Sequence, residues 1–133
     1  MKHDDVLCLG SGGFHRMHYT DWGDAANPRV VVCVHGLTRN ARDFDALAGR
    51  LAPDFRLVCP DIVGRGKSQW AASKDDYAYP QYMADITALL ARITTNGAKE
   101  ILWVGTSMGG MLGMLLAARP NTFVSRLVLN DIG

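Results

Sequence analysis

Cysteine is scarce in this 133-residue sequence, and neither sign of charge dominates it. The three cysteines, Cys8, Cys33 and Cys59, show no framework spacing, and the formal net charge is +1. The lysines and arginines are scattered, which argues against a nucleic-acid partner. With 48% hydrophobic and 20% charged residues, the composition excludes a disordered chain. We expect one folded domain with buried, reduced thiols, in the cytoplasm.

Signals for export or membrane insertion are missing. The N-terminus carries Asp4 and Asp5 and only a short apolar stretch after them, which does not fit a signal peptide. Residues 101–118 carry no charge, but four glycines interrupt them, and the pattern changes from strand-like to helix-like. We therefore interpret this stretch as a strand, a tight turn and a helix, and we expect no membrane partner.

Motifs for cofactors are missing as well. The segment 61–68 resembles a phosphate-binding loop, but Asp61 stands where such a loop needs glycine. We expect its glycines to shape a tight loop instead. No G-x-G-x-x-G run occurs, and the histidines and cysteines lack zinc-ligand spacing. The sequence predicts neither a cofactor nor a metal.

What the chain does have is an alternation of short apolar runs and helical patterns. Residues 30–34 are a continuous β-branched run, which is typical of a strand buried on both faces. The pattern predicts strands at 6–9, 14–19, 30–34, 56–59, 101–105 and 124–130, and helices at 41–51, 79–95 and 107–118. The first two strands would pair with each other, and Asn96-Gly97 would end the second helix. This predicts an α/β domain over residues 1–133, with a doubly wound, mostly parallel sheet.

The strongest chemical motif is Gly105-Thr106-Ser107-Met108-Gly109, which matches G-x-S-x-G. It lies between a predicted strand and a predicted helix, which is where a nucleophile elbow needs it. Small residues two before and two after the serine let strand and helix approach closely. The alternative is that Ser107 only caps the helix, because serine is favoured there.

A second motif, His35-Gly36-Leu37, follows the strand 30–34. Acyl chemistry needs two N–H donors aimed at one oxygen, and we expect them at Leu37 and Met108. Gly36 would permit the turn, and the imidazole of His35 would be structural. Met108, Met111, Met114 and Trp103 are expected to pack in the core.

These motifs together resemble the α/β-hydrolase family, in particular its cofactor-free bacterial esterase-like members. The matching pieces, in order, are residues 35–38, 61–68, 105–110 and 127–133. The resemblance implies strands one to six of an eight-stranded sheet, without the lid and the C-terminal part. It also implies a serine hydrolase that acts on an ester or related carbonyl through an acyl-enzyme, with Ser107 as nucleophile and a small-molecule substrate.

The resemblance is incomplete in one respect. His3, His15, His18 and His35 all precede Ser107, whereas the family order is nucleophile, acid, histidine. Asp131 could be the acid, or it could be a structural loop carboxylate. We expect the chain to be one piece of a longer polypeptide, whose remainder would supply the lid and the histidine. By itself the piece should be insoluble or molten, because an apolar strand edge would be exposed.

Other activities on the same fold stay open at this point. Carbon–carbon bond hydrolases, haloperoxidases and lyases share it, and a non-catalytic binding protein would explain the missing histidine.

Overall fold

The structure is a computed structural model that describes residues 1–95 and 100–132. The strands are β1 (Lys2–Gly10), β2 (Gly13–Trp22), β3 (Arg29–Val34), β4 (Arg56–Pro60), β5 (Glu100–Thr106) and β6 (Val124–Asn130). The α-helices are α1 (Asp45–Leu51), α2 (Tyr79–Ile93) and α3 (Met108–Ala117). The predicted helix end at Asn96-Gly97 lies outside the described residues.

The strands form one sheet in the order β1-β2-β4-β3-β5-β6. Pairings of β3 with β4, β3 with β5 and β5 with β6 are parallel, whereas β2 pairs antiparallel with β1 and β4. The predicted doubly wound, mostly parallel sheet is confirmed. From β3 the chain moves to one side for β4 and then to the other side for β5. The carboxyl ends of β3 and β5 therefore flank the crevice where such sheets bind ligands.

The valine run of β3 is buried because helices cover both faces of the sheet. Val30, Val32 and Val34 pack in the cluster that lies under α2 and α3. Val31 and Cys33 point the other way and pack with Phe44 and Ala48 beside α1. A strand covered on both faces needs an apolar residue at every position, which explains the lack of polar alternation.

Two predicted boundaries need correction. The helix expected at 41–51 is a 3₁₀ turn over Ala41–Phe44 followed by α1. The side chain of Asn40 caps the 3₁₀ turn by accepting from the backbone N–H of Arg42. The hairpin of β1 and β2 is confirmed, but it pairs Lys2 through Gly10 with Asp21 through Gly13, well beyond 6–9 and 14–19.

The uncharged stretch 101–118 folds as nearly all of β5, a sharp turn and α3. Within the described ranges, no helix is long and apolar enough to cross a membrane. Trp103 is fully buried, as expected, and its indole N–H donates to the carbonyl of Gly109. All three cysteines are buried and free of disulfides.

Candidate active site

Ser107 occupies the turn between β5 and α3 in a backbone conformation that side chains rarely adopt. Its φ is 51° and its ψ is −113°, and the residue is exposed. It stands at the N-cap of α3, but its side chain makes no capping hydrogen bond. A serine kept only as a cap would use its hydroxyl on the helix. The strained, exposed hydroxyl therefore fits a nucleophile elbow better than a cap.

The two glycines of the motif allow strand, turn and helix to pack tightly. A Cβ atom on Gly105 would overlap the backbone of Gly109 and Gly110. A Cβ atom on Gly109 would overlap the carbonyl group of Val34, at the end of β3. The small residues on either side of Ser107 thus bring the start of α3 against both β5 and β3.

The loop after β3 lies directly beside the elbow. Val34 pairs with Gly105 in the parallel register, so Gly36 comes level with Ser107. A Cβ atom built on Gly36 would lie 3.6 Å from the Cβ of Ser107, an ordinary contact, and the φ of Gly36 is not in the left-handed region. The expectation that Gly36 is needed to permit the turn is therefore wrong. What its missing side chain provides is open space next to Ser107.

The imidazole of His35 is fully buried and uses both ring nitrogens within the scaffold. Nδ1 lies 2.7 Å from the carbonyl oxygen of Gly36, and Nε2 lies 3.0 Å from the backbone nitrogen of Ile62. A carbonyl only accepts and an N–H only donates, so Nδ1 carries the proton. Burial lowers the pKa of His35, which keeps the ring neutral.

The backbone N–H groups of Leu37 and Met108 are available for a ligand. Neither has a hydrogen-bond acceptor within residues 1–95 and 100–132. Met108 is the first residue of α3, where N–H groups lack intrahelical partners and the helix dipole favours negative charge. The Leu37 N–H belongs to the same peptide plane as the Gly36 carbonyl that His35 and the Arg39 N–H hold.

An open groove of about 400 Å³ leads to Ser107. Its lining is mostly apolar or aromatic and comprises Leu37, Tyr77, Ala78, Tyr79, Tyr82, Ser107, Met108, Met111 and Ile132. Met108 is buried, whereas Met111 is 38% exposed. The expectation that Met111 packs in the core is wrong, because the helix turns its side chain toward the groove.

The four histidines, all within the described ranges, bond to groups other than Ser107. His3 contacts His18, and His18 in turn contacts Asp61. His15 pairs with Asp85, and His35 is held as described above. Asp131 follows Asn130, whose carbonyl accepts from the Ser107 backbone N–H at 2.9 Å. Asp131 is exposed, with φ at 53°.

Cys8, His15 and Asp85 form a buried polar cluster that no sequence pattern indicated. Their ligand atoms lie within 4.8 Å of one another, as those of a metal site could. His15 Nε2 already pairs with Asp85 at 2.7 Å, and Gln81 donates to the other Asp85 oxygen at 2.7 Å. Burial raises the pKa of Cys8 to about 12, so the sulfur stays a thiol. These groups are satisfied by each other as a buried polar contact.

Comparison with known proteins agrees with this fold. The family model described as alpha/beta hydrolase fold matches residues 29–132. The 3-hydroxybutyrate-oligomer hydrolase of Cupriavidus necator is 52% identical over 96% of this chain and 43% of its own length. Lipase LipV of Mycobacterium tuberculosis is 34% identical over 86% of the chain and 41% of its own length.

A solved structure extends the likeness to three dimensions. An alpha/beta hydrolase from Novosphingobium aromaticivorans is 44% identical and superposes with a TM-score of 0.82, over 98% of this chain and 45% of its own. The chain belongs to the α/β-hydrolase family. It spans less than half the length of these three proteins.

Proposed function

We propose that this chain carries the nucleophile and the oxyanion donors of a serine hydrolase that cleaves esters. The observation that carries the proposal is the setting of Ser107. Its hydroxyl is exposed on a strained turn, and the free N–H groups of Met108 and Leu37 lie on the two segments flanking it. A nucleophile and preorganised donors on adjacent strands are what acyl transfer requires.

In the proposed reaction, Ser107 Oγ attacks the ester carbonyl carbon while a histidine takes its proton. The carbonyl oxygen becomes an oxyanion that accepts from the Leu37 and Met108 N–H groups. When the tetrahedral intermediate collapses, the bond to the alkoxy oxygen breaks, and the histidine protonates the departing alcohol. Water then attacks the acyl-enzyme by the same route and releases the acid. The four histidines of this chain bond to groups other than Ser107, so we propose that the base comes from the remainder of a longer polypeptide. Asp131 is a candidate for the acid that orients it.

We further propose that the substrates are short oligoesters of a hydroxyalkanoate. The relative from Cupriavidus necator, at 52% identity, is named a 3-hydroxybutyrate-oligomer hydrolase. The groove beside Ser107 is open and lined by tyrosines and aliphatic side chains, which suits a short ester chain with polar groups at intervals. The buried, unpaired thiols favour a reducing compartment, so we place the protein in the cytoplasm.

The test is made on the complete protein. A fluorophosphonate probe should label Ser107, and Ser107→Ala should abolish both labelling and hydrolysis of 3-hydroxybutyrate trimer. Release of monomer and dimer is followed by mass spectrometry, with p-nitrophenyl acetate as a general ester. Folded protein without an adduct at Ser107 would refute the serine mechanism. Labelling with hydrolysis of p-nitrophenyl acetate but not of the trimer would refute only the oligoester assignment.

A further inference from the structure

Arg65, in the loop after β4, contacts several of the residues that line the Ser107 groove. Its Nε donates to the carbonyl of Leu37 at 3.0 Å. Its Nη1 donates to the hydroxyl of Tyr82 at 3.2 Å and to the carbonyl of Val63 at 3.0 Å. The guanidinium carbon also lies 5.9 Å and 5.3 Å from the ring centroids of Tyr77 and Tyr82.

Arg65 does not line the groove, but three of its contacts do. Leu37, Tyr77 and Tyr82 all face the open space in front of Ser107. Each belongs to a different segment: the loop after β3, the approach to α2, and α2 itself. A single side chain therefore fixes parts of the groove that are far apart in sequence.

The loop that carries Arg65 is itself held rigidly. Gly64 has a φ of 79°, and a Cβ there would overlap the ring of Tyr77. Gly66 has a φ of 54° and packs on the carboxylate of Asp61. Asp61 is buried and accepts from the backbone N–H groups of Ala41 and Lys67. The guanidinium thus extends from a fixed base.

The choice of arginine fits this position. Within the described ranges Arg65 forms no ion pair, whereas Arg56, which is buried, pairs with Asp21 at 2.7 Å. The donors of Arg65 go to carbonyls and a phenol instead. A planar guanidinium can hold several acceptors and stack on aromatic rings at once, which an ammonium group cannot do.

We propose that Arg65 is a positioning residue for the oxyanion hole, a role that rests on the proposed function. The peptide before Leu37 is fixed by His35 through the Gly36 carbonyl, and the peptide after Leu37 is fixed by Arg65 through the Leu37 carbonyl. With both planes held, the direction of the Leu37 N–H is set before substrate arrives. Donors that need no reorganisation stabilise the oxyanion best.

Arg65→Ala in the complete protein should lower kcat by about tenfold or more, because loss of an entire oxyanion donor costs about 10²–10³-fold. KM should change by less than about threefold, since the ground-state ester depends little on the donor. Affinity for a boronic acid analogue of the tetrahedral intermediate should fall by the same factor as kcat/KM. Added ethylguanidinium should restore part of the activity, and Arg65→Lys should retain an intermediate kcat.

Arg42→Ala is the matched control, because Arg42 is exposed, pairs with Asp45 and lies outside the groove. It should leave kcat unchanged. If Arg65→Ala raises only KM, or leaves kcat and analogue affinity within twofold of wild type, the positioning role is wrong. If Arg65→Ala does not fold, Arg65→Lys decides the question by the same two measurements.

Failure of the proposed function gives a different result. Absence of fluorophosphonate labelling at Ser107 in the wild-type protein would remove the serine mechanism and the role of Arg65 with it. Normal labelling in the wild type, at a rate that Arg65→Ala does not lower, would remove the role of Arg65 alone.

Discussion

His35 and Ile62 are joined by a hydrogen bond in which the buried imidazole Nε2 accepts from the Ile62 backbone N–H at 3.0 Å. The opposite nitrogen donates to the Gly36 carbonyl at 2.7 Å. The ring thus connects the loop after β4 to the peptide plane that carries the Leu37 N–H. A side chain that performs no chemistry in the proposed mechanism still orients the peptide of a proposed oxyanion donor.

We expect His35→Asn and His35→Ala to separate these two contacts. An asparagine amide can donate to the Gly36 carbonyl as Nδ1 does, but it leaves the Ile62 N–H without its acceptor. An unsatisfied buried group costs about 1–3 kcal/mol, so both variants should lose unfolding free energy in urea. Only His35→Ala should also show a large loss of kcat. Equal kcat values in the two variants would contradict the proposed orientation of the Leu37 donor.

The same histidine should contribute to the pH dependence of stability. Burial lowers its pKa in the folded state below the ordinary value of 6.5. As the pH falls, the unfolded chain therefore takes up this proton first, and folding is opposed. The stability that the neutral His35 ring contributes is complete above about pH 6.5 and is lost as the pH falls below that value. Urea unfolding at a series of pH values should show that the free energy of unfolding falls less in acid for His35→Asn than for wild type. The same pH dependence in both proteins would contradict this contribution of His35.

The strained backbone conformation of Ser107 is expected to lower the stability of the fold while it exposes the hydroxyl for reaction. A non-glycine residue at φ 51° costs about 1–2 kcal/mol, and glycine relieves that cost. Ser107→Gly should raise the free energy of unfolding by about 1 kcal/mol while it abolishes hydrolysis. Ser107→Ala should abolish hydrolysis without that gain. Denaturant unfolding of both variants is the measurement, and equal stabilities would show that the turn carries no strain.

Gly109 should not tolerate a side chain. Its Cβ would overlap the carbonyl of Val34, and overpacking of this kind costs about 1–3 kcal/mol. Gly49→Ala in α1 is the matched control, because its Cβ would lie 4.0 Å from the nearest atom, in Trp22. Alanine there should stabilise the helix by about 0.5–1 kcal/mol. If thermal unfolding shows the two variants changing in the same direction, the close contact at Gly109 is not as described.

The buried pair His15–Asp85 should matter far more than the exposed pair beside it. Removing one partner of a buried pair costs about 3–5 kcal/mol, so His15→Ala should sharply lower the free energy of unfolding. The control is Arg16→Ala, which removes an exposed contact to Asp5 at 3.3 Å and should cost less than about 1 kcal/mol. Comparable losses in the two variants would show that burial does not set the strength of the pair.

The sequence by itself determined the architecture and the position of the proposed nucleophile. Residues 30–34 could be identified as a strand buried on both faces, and 105–109 as a strand-to-helix elbow, since both features are local. The β-branched run indicates a strand buried on both faces, and the two glycines around Ser107 indicate that strand and helix approach closely. The motif His35-Gly36-Leu37 is also local, and it indicated the loop after β3 as part of the same site.

Only the tertiary structure decided which side chains that are distant in sequence contact each other. Arg65 and Leu37 are 28 positions apart, and His15 and Asp85 are 70 apart, so no spacing rule connects them. Met111 was expected in the core because its helical spacing identifies one face of the helix. The spacing does not say what covers that face. These contacts depend on how the loops after β3 and β4 and the helix α2 pack together. That packing is a property of the whole sheet, because strand order and register bring segments together that no local pattern relates.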